Sequence, residues 1–226
     1  MLMTDGKIEE AMTSGDLVIK DFSSDFLEAA SYDMRVGKRL LISNSETEID
    51  MSKRGSATLA PGVFALVTTY ESLKLSDRIA GHIGLKSYYT RKGVVMLTGL
   101  QIDPGFEGVL VIGLYNASPR SLTLDYLAPF CTVEFHQLSQ RVEKPFIPGD
   151  EQKAGQIPRA DKDYLRTLET QSLSELGQSL RTLTQDVSGL TDQVRKLTDT
   201  QKNIQWALGF GFAFLGLLMT LLKFFH

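Results

Sequence analysis

From Gln205 to Leu222 the chain runs through eighteen residues, QWALGFGFAFLGLLMTLL, without a single charge. As a helix rising about 1.5 Å per residue this run would be roughly 27 Å long, close to the hydrocarbon thickness of a bilayer. Apolar residues fall on every face of that helix, which argues against both an amphipathic interfacial helix and one docked by a single stripe. Trp206 stands at the upstream edge, where an indole suits an interface, and Lys223 can snorkel at the other end. Gly209, Ala213 and Gly216 have the small-residue spacing that lets helices approach closely. Residues 205–223 are therefore expected to form a transmembrane helix, a single-pass C-terminal anchor in a lipid bilayer. Arg195, Lys196 and Lys202 precede the run and only Lys223 and His226 follow it, which places the N-terminal domain on the cytoplasmic side. At the opposite end Asp5, Glu9 and Glu10 interrupt Met1–Asp16, so no signal peptide is expected.

Immediately upstream, Leu173, Leu176, Leu180, Leu183, Val187, Leu190, Val194 and Leu197 alternate at spacings of three and four, continued by Gln201 and Ile204. The intervening positions are Ser, Thr, Gln, Asp and Arg. A strict two-in-seven seam sustained for about four repeats reads as a coiled coil, and Gln201 on the seam would specify register. This stalk is assigned to 161–204. Pro145 to Arg159 carries three prolines and two glycines, so 145–160 is read as an arm or linker.

What remains, 1–144, has ordinary soluble composition, and its pattern is that of an all-β domain. A short helix is predicted over Asp5–Thr13, ended by Ser14-Gly15. After it, short alternating runs are bounded by turn chemistry: Gly62–Thr69, Gly108–Asn116, Ser121–Leu127 and Thr132–Leu138. Many short strands with Gly/Pro turns imply a sandwich or barrel. The net charge of −3 makes a nucleic acid polymer an improbable partner, and the single cysteine, Cys131, excludes a disulfide framework and any cysteine-only zinc cage. Cys131 is read as a small core residue, and His82 and His136 as structural.

The motifs are more specific than the pattern. Ser31-Tyr32-Asp33-Met34-Arg35-Val36-Gly37 closely resembles the S-x-D-L-R-L-G motif of dCTP deaminases. Lys86-Ser87-Tyr88-Tyr89-Thr90-Arg91-Lys92-Gly93 is similar to their R-S-S-x-x-R-x-G with two substitutions. Thr98–Gly108, TGLQIDPGFEG, resembles T-A-x-x-I-D-P-G-F-x-G. Lys153, Gly155, Gln156 and Pro158 look like a shortened K-Y-Q-G-Q-x-G-P arm. On these residues the chain is identified as a member of the dCTP deaminase/dUTPase superfamily. The resemblance implies a mainly β fold, a dUTPase-like distorted β-barrel or jelly roll, usually a homotrimer with nucleotide sites between subunits.

It also implies a site. Lys86, Ser87 and Arg91 supply the cations and hydroxyl that a triphosphate requires, although Lys86 replaces an arginine and loses its bidentate fork. Asp103 matches the aspartate that contacts deoxyribose or, in dUTPases, orients the attacking water. Lys153 and Gln156 match an arm that closes over phosphates. The expected ligand is a pyrimidine deoxynucleotide with Mg²⁺, and no zinc. Asp33 and Arg35 are alternatively read as members of a structural ion pair. Family deaminases depend on a Glu in a pattern like L-x-L-E-x-x-N, and here the run is Leu110-Val111-Ile112-Gly113-Leu114-Tyr115-Asn116, with Gly113 in the Glu position. Loss of a sole general acid/base typically costs on the order of 10²–10⁴-fold. Glu107 and Glu134 are the nearest acids in sequence. The zinc route of other nucleobase deaminases needs H-x-E with P-C-x-x-C, which one cysteine cannot supply. Three readings follow: a degenerate, membrane-anchored nucleotide sensor; an active enzyme, either a dCTP deaminase producing dUTP or a pyrophosphatase using Asp103; or a structural oligomer that clusters its anchors.

Overall fold

The strand Ser31–Ile42 joins the two halves of a curled sheet. Its first residues pair with Pro129–Gln137, Tyr32 lying opposite Val133 and Met34 opposite Cys131. Its later ones pair with Phe64–Leu75, Leu40 lying opposite Val67 and Ile42 opposite Ala65. The register slips between Val36 and Leu40, and Gly37 sits in that slip. A Cβ on Gly37 would lie 2.2 Å from the Thr69 carbonyl oxygen, so only glycine permits this approach of the two backbones. The glycine of the SYDMRVG motif is thus a requirement of the barrel corner.

The computed structural model describes the chain except residues 44, 46, 168–172 and 225–226, and except the side chains of 152, 166–167, 173–176, 199, 212–214, 217–218 and 220–224. Among the described residues the main sheet is antiparallel. Its order is Val94–Met96, Glu107–Asn116, Phe64–Leu75, Ser31–Ile42, Pro129–Gln137, Ile79–Leu85 and Gln101–Ile102. Ser56–Leu59 and Leu122–Asp125 form a separate two-stranded ribbon. The interior is filled by alternating strand residues, among them Tyr32, Met34, Leu40, Val67, Ile112, Phe130 and Phe135, and is joined by Ile8 and Ala11 from the helix Asp5–Ser14. The fold is mainly β, as the motif reading expects.

Two partly buried ion pairs border this core. Arg35 Nε donates to Glu71 Oε1 at 2.5 Å and its backbone N–H donates to Glu71 Oε2 at 2.9 Å, with Glu71 wholly buried. The guanidinium also lies 4.7 Å from the ring centroids of both Phe26 and Tyr70. Asp33 pairs with Lys86. Asp33 and Arg35 are therefore both structural, each with a partner on another strand or loop.

Beyond the barrel strands, short helices at Asp150–Lys153 and Arg159–Thr167 follow. Ile157 and Leu165 are buried with Leu41 against Phe64, Leu66 and Val111. Glu48 bridges the region, bonded to Arg39 at 2.5 Å and to Lys162 at 2.8 Å. Burial pushes the Glu48 carboxyl up, but the hydrogen bonds from Lys162 and Arg39 outweigh it and hold the group below the usual value.

The second unit, Glu175–His226, contains most of one helix, Leu173–Phe224. Leu180, Leu183, Val187, Leu190, Val194, Leu197 and Ile204 are all exposed along it, an apolar stripe facing solvent. Part of the expected coiled coil, 168–172 and the side chains of Leu173 and Leu176, lies outside the described residues. The expected transmembrane helix is not found: among the described residues no helix is long and apolar enough to cross a membrane. The uncharged run 205–222 lies within this helix, and the side chains of 212–214, 217–218 and 220–222 lie outside the described residues.

Candidate functional site: a cationic groove beside a closed strand

Lys86 opens the loop that follows the strand Ile79–Leu85. Its backbone N–H is held by the Phe130 carbonyl at 2.9 Å, and one helical turn, Ser87–Thr90, follows. Tyr89 anchors that turn in the core at 4% exposure. Burial pushes its phenol up to about 12, aided by Tyr88 and Asp125. With Tyr89 inward, Tyr88, Arg91 and Lys92 are turned to the surface. Lys92 Nζ bonds the Tyr88 hydroxyl and lies 3.7 Å from its ring centroid.

The facing wall is built by Asn116. This wholly buried side chain donates from Nδ2 to the carbonyls of Leu59 at 2.9 Å and Arg120 at 2.8 Å. Its Oδ1 accepts from the backbone and hydroxyl of Ser118 at 3.0 and 2.7 Å. Ala117 N–H donates to Gly93 at 2.9 Å, which ties this turn to the Lys86–Gly93 loop. Between loop and turn lies a groove of about 620 Å³ lined by Tyr88, Arg91, Lys92, Arg120, Ser121, Thr123 and Asp125, among others. Three cations and two hydroxyls around one groove can bind a phosphate chain. Mg²⁺ carried by such a ligand would need only one or two protein carboxylates, and Asp125 would offer one.

Of the residues expected from the motifs, only Arg91 lines this groove. Lys86 is committed to Asp33. Ser87 is exposed at the start of the helical turn. Asp103 is exposed in the loop after Gln101–Ile102, where Gln101 Nε2 donates to its Oδ1 at 2.6 Å. Lys153 ends its short helix exposed, and Gln156 is half-buried with its N–H on the Glu151 carbonyl at 2.9 Å. Lys92, Arg120, Ser121 and Thr123 were not singled out as ligands in the sequence. The signal that could have found them is the Asn116…Ser118-Pro119-Arg120 turn, which brings Arg120 to the groove that Arg91 lines.

Gly113 lies within the strand Glu107–Asn116, fully engaged. Its N–H donates to Thr98 Oγ1 at 2.6 Å and its carbonyl accepts from Leu97 N–H at 2.8 Å. A Cβ there would stand 2.9 Å from the Leu97 carbonyl oxygen and 3.1 Å from the Phe64 ring, so any side chain at this position requires the Leu97 backbone or the Phe64 ring to shift. Of the neighbouring acids, Glu107 pairs with Lys74 at 3.4 Å and Glu134 lies on another strand, 3.8 Å from His136. Cys131 is buried, and burial, with the charges of Glu71 and Asp33 nearby, raises its thiol well above the ordinary value. It is a poor nucleophile.

Residues 2–138 match the family described as DCD: dCTP deaminase-like. The dCTP deaminase of Pyrococcus abyssi is 36% identical over 146 residues, covering 65% of this chain and 90% of that protein. The dCTP deaminase of Pyrococcus horikoshii is 33% identical over 146 residues, covering 65% and 88%. The crystal structure of 2'-deoxycytidine 5'-triphosphate deaminase from Agrobacterium tumefaciens superposes with a TM-score of 0.50 at 20% identity, over 60% of this chain and 48% of that one, a likeness of fold. The chain thus spans about half the length of that solved relative and most of the length of the two Pyrococcus proteins. By the motifs, the matched residues and the identity to these proteins, the chain belongs to the dCTP deaminase-like family.

Proposed function

We propose that the barrel binds a pyrimidine deoxynucleotide without deaminating it, acting as a sensor or regulator. The single observation that carries the reading is the packing at Gly113, where Leu97 and Phe64 occupy the space a catalytic carboxylate would need. Binding itself is supported by the cationic groove. Arg91 offers a planar fork to phosphate oxygens, Lys92 and Arg120 add charge, and Ser121 and Thr123 add hydroxyls. Tyr88, 52% exposed, presents a ring on which a base can stack once Lys92 turns to a phosphate.

The exposed stripe from Leu180 to Ile204 suits self-association through a coiled coil, and the family favours a trimer. Beyond it, Trp206, Leu208, Phe210, Leu215 and Met219 are exposed on a stretch whose sequence is uncharged to Leu222. A structural oligomer that only clusters these segments needs no groove, and the groove cations argue for the ligand-bound reading.

A second reading, an active nucleotide enzyme, is favoured by the relatives named dCTP deaminase and by the exposed Asp103, which could orient a water. Incubation of the full chain with dCTP and dUTP in Mg²⁺, followed by chromatography for dUTP, dUMP and pyrophosphate, separates the two. The first reading expects the nucleotides unchanged, and sustained turnover would replace it with the second.

A further inference from the structure

On the strand Pro129–Gln137, Glu134 and His136 stand two residues apart and so project from one face. The neighbouring Ile79–Leu85 strand pairs in a register that sets His82 opposite Glu134. The three side chains occupy the corners of a triangle fixed by two β-strands, a stiffer platform than a loop. One ligating atom from each lies within 4.8 Å of the other two. His136 Nε2 is 3.8 Å from Glu134 Oε2. The imidazole centroids of His82 and His136 are 4.7 Å apart with planes inclined by 60°, so the rings do not stack. His136 Nε2 is shielded from solvent and has no hydrogen-bond partner among the described residues. An unpaired, shielded ring nitrogen aimed at a carboxylate beyond hydrogen-bond reach marks a place where a third group belongs.

Two imidazoles and one carboxylate form a donor set suited to divalent transition metals. Around a tetrahedral centre with bonds of about 2.0–2.1 Å, ligating atoms stand about 3.3 Å apart. The Glu134–His136 separation already lies about half an ångström from that value, and His82 is exposed and able to rotate inward. We propose that His82, Glu134 and His136 bind one divalent metal ion of the zinc class, with the open side of the triangle leaving a position for water or another oxygen ligand. Zinc was excluded above on the cysteine count, and that argument touches only cysteine-built centres; Cys131, buried elsewhere in the core, takes no part. His82 and Glu134 are 52 positions apart in sequence, which hides the triangle, and the only local trace is the Glu-x-His alternation on one strand. The proposal is independent of the nucleotide reading, since none of its three residues lines the cationic groove.

Calorimetric titration of the full chain with ZnCl₂, beside visible absorption with Co²⁺, tests it. One ion per chain, a raised melting temperature and a Co²⁺ ligand-field band are expected. His82→Ala and His136→Ala should each weaken binding by more than the roughly 10–100-fold that loss of a supporting hydrogen bond costs at a metal site. Glu134→Gln should weaken it as well, and His226→Ala should leave it unchanged. His82 and Glu134 are exposed, so their variants are expected to fold, and melting of the metal-free proteins checks this. Absence of saturable binding, or binding that survives both His82→Ala and His136→Ala, overturns the proposal.

Discussion

Lys86 and Arg91 stand five residues apart on one loop, and they serve opposite ends. Lys86 is drawn back onto Asp33, which is 5% exposed, whereas Arg91 faces a solvent-filled groove with Lys92 and Arg120. Arg35 and Glu71 repeat the first behaviour in the core itself. Motif resemblance cannot separate these uses, because a charge that closes a barrel and a charge that holds a phosphate look alike in sequence. Burial separates them. Inside, a charge needs a fixed protein partner; at the surface it remains available to a ligand.

The widest contrast is in stability. Glu71→Ala leaves the Arg35 guanidinium without its partner and should cost about 3–5 kcal/mol, seen as a collapse in melting temperature or loss of soluble protein. Arg91→Ala should fall within about 0.5 kcal/mol of the parent protein. Equal losses in the two variants would erase the distinction. Next in size, Gly113→Glu presses a side chain against the Leu97 carbonyl and the Phe64 ring and should destabilise by about 1–3 kcal/mol. It should not produce dUTP from dCTP; recovery of deamination by this one change would show that the strand had kept room for the reaction.

In binding, the order reverses. Arg91→Ala combined with Lys92→Ala should weaken nucleotide binding about 100-fold or more, at about 1.5–3 kcal/mol per charge-assisted contact, while the melting point of the unliganded protein holds. Unchanged affinity by calorimetry would remove the groove from the account. The smallest effect is the pH response of Glu48. Its folded-state carboxyl is held below the usual value, so its contribution is complete above the ordinary Glu pKa of about 4.3 and fades as pH falls through the lower folded-state value. Glu48→Gln should remove that acid-side loss, which melting curves between about pH 3 and 6 can follow.

Elements whose neighbours are local were readable in the sequence. The helix Asp5–Ser14 and the strand Glu107–Asn116 lie within a residue of their expected bounds, because capping and alternation are short-range signals. Phe64–Leu75 runs six residues beyond the expected Thr69, since Glu71 reads as a surface residue until Arg35 is seen to bury it. Ser31–Ile42 was visible as a motif, yet Asp33 and Arg35 masked it as a buried strand for the same reason. The packing of Ile157 was hidden within a Pro- and Gly-rich stretch that reads as linker, and that of Leu165 within the segment that reads as stalk. The site was legible at Arg91 and in the vacancy at Gly113. Arg120 entered only because Asn116 folds its turn back onto the loop, a contact that no spacing rule encodes.

The central claim is a nucleotide held without being converted. Equilibrium dialysis of the full chain against dCTP and Mg²⁺, with chromatography of the retained nucleotide, addresses both halves at once. The account predicts saturable retention of intact dCTP, diminished by Arg91→Ala with Lys92→Ala. Retention of none, or recovery of dUTP or of dCMP with pyrophosphate at many turnovers per chain, would contradict it.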